Sequence, residues 1–170
     1  MHWGAVLVGW FVETAALSNC MGQVDSRPPE RGLEKVLGAL PGPMTKINEQ
    51  PLPSLAAPGQ QIDLWVSEDA RGDYLRVRPD ETGSGAKLPV NSGIVRAIRD
   101  ADGRVMKYTA LMQRPEGFHP PSDLWFAVYD DAGDLARDEA GAFMQGPLAV
   151  CVTCHLTRAD DGYVFGAPSN

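Results

Sequence analysis

The feature that most restricts this chain is a pentapeptide near its carboxyl end, Cys151-Val152-Thr153-Cys154-His155, with only fifteen residues after it. Two thiols at this spacing on the start of a short helix can add to the two vinyl groups of one haem, and the adjacent imidazole then reaches the iron. The spacing is the c-type attachment pattern. A bare Cys-x-x-Cys leaves redox-dithiol and zinc readings open. Zinc needs two more ligands at a similar spacing, and His2 and His119 do not form such a pair. The expectation is one covalent haem c on Cys151 and Cys154, with His155 as an axial iron ligand.

The late position of the motif restricts the fold further. In the common small electron-transfer cytochromes the motif lies near the amino end, and a downstream Met supplies the second ligand. Here everything around the far side of the group has to come from upstream chain. Four-helix cytochromes c′ also attach haem late, but they need four long amphipathic helices, and the sequence has none.

The chain has 170 residues, a 44% hydrophobic fraction and a formal net charge of -7. That is enough for one domain with a single core. The acidic balance argues against nucleic acid, whose recognition rests on clustered Lys and Arg. No run approaches the roughly 18 apolar residues of a membrane span. Residues 1–25 read as a signal peptide or lipoprotein leader: Trp3 to Val12 is apolar, and Leu17-Ser18-Asn19-Cys20 resembles a lipidation box with Cys20 as the anchor. A periplasmic or otherwise extracytoplasmic location is expected, since haem attachment of this kind takes place outside the cytoplasm.

Residues 26–60 are rich in Pro and Gly and read as a tether with one docking helix, Glu30 to Leu40, stopped by Pro41. Residues 61–170 read as the haem domain. Strands are expected at Ile62–Ser67, Tyr74–Arg78, Gly93–Arg99, Arg104–Arg114 and Asp123–Tyr129. Asp100-Ala101-Asp102-Gly103 is the hairpin turn joining the third to the fourth, and Asp130-Asp131-Ala132-Gly133 closes the fifth. In the fourth strand Met106, Tyr108, Ala110 and Met112 share one face, and Lys107, Thr109 and Gln113 the other. The fold class is α+β, mainly an antiparallel β meander with an N-terminal helix and a short C-terminal haem-attachment helix.

Several segments together resemble the cytochrome P-460 and cytochrome c′-beta family. They are Leu88-Pro89 with Ser92 to Arg96, Lys107 to Pro115, Ser122 to Tyr129, Cys151 to His155, and Asp161-Gly162-Tyr163-Val164-Phe165. The resemblance spans roughly residues 60 to 167. It implies a mainly antiparallel sheet, often dimeric, and a five-coordinate haem with an open distal face. In the P-460 branch a Lys is cross-linked to the haem and hydroxylamine is oxidised; in the c′-beta branch an apolar pocket binds nitric oxide or carbon monoxide. This sequence reads Ile94-Val95-Arg96 where the family's Lys is expected, and a guanidinium is a poor nucleophile. Lys87, in a Gly-rich loop, and Lys107 are the other nearby amines.

Other candidates have a bland reading beside the sharp one. Met112 and Met106 can offer a thioether to the iron or simply fill core. His119, before Pro120-Pro121, is a second axial candidate or an exposed turn. Arg96 and Arg114 can pair with haem propionates or a bound ligand, or sit at solvated strand ends. Trp125, Phe126 and Tyr129 can wall the site or serve as sheet core. Three functions follow: an open-site haem protein taking small gaseous or nitrogenous ligands, a six-coordinate electron carrier with a redox partner protein, or a hydroxylamine-oxidising enzyme.

Overall fold

The computed structural model describes residues 32–167 except 56. The leader, Cys20 and His2 lie outside the described residues. The protein is α+β, with a mostly antiparallel sheet and few helices. Helix α1 (Leu33–Gly38) is followed by strands β1 (Met44–Lys46), β2 (Leu52–Pro53) and β3 (Gln61–Ser67), then a 3-10 turn and α2 (Arg71–Tyr74). Strands β4 (Gly93–Arg99), β5 (Val105–Gln113), β6 (Leu124–Asp130) and β7 (Gln145–Gly146) come next, and α3 (Ala149–His155) follows them. The sheet runs β1-β3-β4-β5-β6-β7, with β2 also pairing β3, and every pairing is antiparallel.

Two sequence expectations differ from this arrangement. Tyr74–Arg78 is not a strand: α2 ends at Tyr74, and Val77 N–H bonds back to the Tyr74 carbonyl at 3.0 Å. Tyr74 and Val77 are both buried at a spacing of three, with Leu75 and Arg76 exposed, so a helical period was hidden under an apparent alternation. The stretch read as tether also supplies β1 and β2, which extend the sheet beyond and beside β3.

Strand register sorts side chains onto two faces. One buries Trp65, Val95, Tyr108, Ala110, Met112 and Ala127 under Val36 and Leu40 from the α1 region. Gly32, at the start of α1, and Gly133 touch backbone to backbone: a Cβ on Gly133 would lie 2.5 Å from the Gly32 carbonyl oxygen. That contact anchors α1 to the turn after β6.

The other face carries three cross-strand rows. Val66, Ile94, Leu111 and Phe126 form one; Leu64, Arg96, Thr109 and Val128 the next; Ile62, Ile98, Lys107 and Asp130 the last. The first row is wholly buried beneath Tyr74, Val77, Leu88 and Val164. In the second row Arg96, Thr109 and Val128 are only half-buried, and in the third Lys107 and Asp130 are exposed. This face therefore opens progressively toward one corner. Both faces of β5 bury apolar groups, since Leu111 is covered opposite Met112, while Met106 at the strand's start is half exposed.

Candidate functional site

Helix α3 begins at Ala149, after an extended Leu148, and packs on the half-open face. Leu148, Cys151 and Val152 meet the core there, at the i, i+3, i+4 spacing of one helical stripe. His155 continues that stripe one turn later. Cys151 is half-buried, Cys154 is exposed, and both are free thiols. Burial pushes the Cys151 thiol up; Cys154 adds to this, and the nearby Lys107 charge opposes it. A redox-active dithiol needs the reverse, a thiolate favoured near neutrality.

The imidazole of His155 lies between two aromatic rings, Phe126 at 5.0 Å and Phe165 at 5.1 Å between centroids. Its Nδ1 is 2.5 Å from the Tyr163 carbonyl oxygen. A carbonyl only accepts, so Nδ1 carries the proton and donates. Burial pushes the imidazole pKa down to about 4, with the Arg96 charge acting in the same direction and the Tyr163 carbonyl opposing. The ring is then neutral near pH 7, and its Nε2 keeps a lone pair free for a metal.

The chain reaches that carbonyl by reversing sharply. A 3-10 segment, Leu156–Asp161, is followed by Gly162 at φ 64° and Tyr163 at φ 63°, both left-handed. Gly162 has no alternative, because a Cβ there would lie 2.4 Å from the Ala86 carbonyl oxygen. Tyr163 is an unusual residue at such a φ, and Tyr163 N–H donates to the Arg158 carbonyl at 2.8 Å. Arg158 and Asp161, both buried, pair at 2.9 Å. Burial raises the Asp161 carboxyl, but hydrogen bonds from Ser84 and the Arg158 charge outweigh it and hold it below the usual range. Neither residue was singled out as functional from sequence. The signal available was the Asp161-Gly162 pair closing a short helix, a reversal signature.

The structure brings some predicted residues together and separates others. Cys151, His155, Phe126, Arg96 and Lys107 share the half-open face; the Arg96 charge acts on both His155 and Tyr74. Lys107 lies opposite Met112, as its strand position required, and that opposite face is the one bearing α3. Met112, Trp125 and Tyr129 belong to the other core, with α1. Arg114 turns to Met112 Sδ at 3.5 Å, to Asn91 and over Phe118. His119 lies in the loop between β5 and β6, where its backbone N–H donates to Asp123 Oδ1 at 2.8 Å. Lys87 is exposed, beside the Ala86 carbonyl that Gly162 meets.

Cys151, Cys154 and His155, all on α3, are the residues that could hold a haem. Among the described residues no group of three or more His, Cys, Asp or Glu side chains is placed to hold a metal. Two free thiols and an imidazole with a fixed tautomer lie together on this one short helix. No known protein-family model matches this chain, and no curated protein matches it.

Proposed function

We propose that this chain is an exported c-type monohaem protein of the cytochrome P-460 and cytochrome c′-beta kind, with its iron open to small ligands. Cys151 and Cys154 would carry the haem through thioethers, and His155 would bind the iron through Nε2. The observation that carries the reading is the His155–Tyr163 hydrogen bond: it fixes the tautomer and leaves the metal-binding nitrogen free, as metal-ligating histidines generally require.

A haem supplies a redox-active iron whose remaining axial position takes a gas, a nitrogenous ligand or a protein side chain. The chain's own residues do the rest. Phe126 and Phe165 pack against the ring of His155 from two sides. Arg96 and Lys107, the cations of the open corner, are the groups available to the propionates or to a bound anion. Met112, one of the two thioether candidates, lies in the opposite core, which counts against it as a ligand in a six-coordinate carrier. Arg96 at the position of the family's Lys favours ligand binding over hydroxylamine oxidation.

An optical spectrum of the ferrous protein with and without carbon monoxide tests this. The Soret band is expected to shift on adding the gas. A sharp low-spin spectrum indifferent to carbon monoxide would rule out an open iron. A strongly red-shifted ferrous Soret band would signify a cross-linked haem and favour the enzymatic branch, with Lys107 or Lys87 as the amine.

A further inference from the structure

We propose that Arg158 and Asp161 are positioning residues for His155, a buried latch that keeps the Tyr163 carbonyl on Nδ1 and so sets the strength of the iron–histidine bond. The inference rests on the haem reading above and adds to it the residues that control the ligand.

The latch joins two stretches far apart in sequence. Arg158 Nη2 donates to the Arg78 carbonyl at 2.7 Å and the Glu81 carbonyl at 2.6 Å, and pairs with Asp161 Oδ2 at 2.9 Å. Asp161 Oδ1 accepts the Ser84 N–H at 2.7 Å. Gly85 N–H bonds to the Asp160 carbonyl at 3.1 Å, and Tyr74 Oη donates to the Phe165 carbonyl at 3.0 Å. Residues 78–85 are thus bonded to the chain just before the Gly162–Tyr163 reversal, and Tyr74 to the chain just after it.

A left-handed non-glycine residue persists only where its surroundings over-determine it. Here the surroundings are this latch, and the strained residue is the one whose carbonyl orients the histidine. A charged pair so fully buried is costly to desolvate, and Arg158 Nε and Asp161 Oδ2 are both left without a hydrogen-bond partner, so the two side chains meet as an ion pair only. Simple stabilisation would be served as well by apolar packing. A fixed carbonyl would not.

The mechanism is electronic. A carbonyl held on Nδ1–H makes the imidazole more basic toward the metal. Loosening it weakens the iron–histidine bond and disfavours the ferric state, so the midpoint potential rises.

The test compares R158K with R99K in the full chain matured with covalent haem. Both substitutions replace a buried Arg in an ion pair, but Arg99 pairs with Asp63, whose strand position faces the α1 side of the sheet, opposite the face that carries α3. R158K is expected to lower the iron–histidine stretching frequency of the ferrous protein and raise the midpoint potential. R99K is expected to lower thermal stability while leaving both unchanged. D161N should repeat the R158K effect. The latch is refuted if R158K and D161N keep the wild-type frequency and potential, or if R99K shifts them equally. Should the variants fail to fold, the unmodified protein decides. The Nδ1 proton resonance of the ferrous carbon monoxide form should outlast transfer to D2O, and its loss within the dead time would overturn the proposal. A wild-type chain that carries no covalent haem refutes the underlying reading instead, before the latch is reached.

Discussion

Asp63 shows how much one buried charge can hold together. Its carboxylate takes Lys46 Nζ at 2.9 Å, Asn48 Nδ2 at 2.9 Å and Arg99 Nε at 2.7 Å, tying β1, β3 and β4 at one point. Burial pushes this carboxyl up, but the hydrogen bonds and charges of Lys46 and Arg99 outweigh it and hold it below its ordinary 3.8. A depressed folded value stabilises the protein above the unfolded value and is lost as pH falls through the folded one. Stability is therefore expected to be level near neutrality and to drop below about pH 4. D63N leaves Arg99 uncompensated and should cost about 3–5 kcal/mol at pH 7. Urea titrations at pH 7 and pH 3 check both points: the gap between wild type and D63N should narrow in acid, and an unchanged gap would exclude Asp63 from the acid limb. None of this was legible in the sequence, because an Asp inside a strand looks like a solvent-facing residue until its partners are known. Cys151, Cys154 and His155 stand out in the sequence because the chemistry proposed for them is local, whereas the Tyr163 carbonyl that bonds His155 Nδ1 has no side-chain signature.

At the scale of elements, the turns were the most readable parts. Asp100, Asp130 and Asp138 each accept two backbone N–H groups, from residues two and four places on. Each is followed three places later by a glycine with positive φ. Local chemistry of this kind needs no tertiary partner, which is why the first two turns were read correctly. The Tyr74–Arg78 segment was misread for the opposite reason, since its period is decided by the core it meets. Equal local strain with unequal surroundings gives a direct test. Gly103 and Gly133 sit at φ 80° and 77°, yet a Cβ on Gly103 meets nothing within 4 Å while one on Gly133 strikes the Gly32 backbone. G103A should cost about 1 kcal/mol, the left-handed penalty alone. G133A should cost several times as much in the same denaturation assay, and equal losses would mean that the α1 contact carries no stability. Val36→Ala, at a fully buried position of α1, should cost roughly 1–3 kcal/mol.

Across the whole molecule, the two faces of one sheet have different work. One is sealed by α1 and reads as structure. The other closes toward Phe126 and opens toward Arg96 and Lys107, and α3 lies on it with His155 already oriented. The alternation of β5 showed from sequence that its faces differ, but not which of them would meet α3, because that depends on how the chain returns after β7. The central claim is that Cys151 and Cys154 hold a haem covalently. The most direct measurement is a pyridine haemochrome spectrum of the chain, coexpressed with a cytochrome c maturation system and stripped of loose haem with acid acetone. The wild type should retain a c-type spectrum at one haem per chain, and the C151A/C154A double variant should retain none. A wild-type chain that emerges colourless from the extraction would contradict the account.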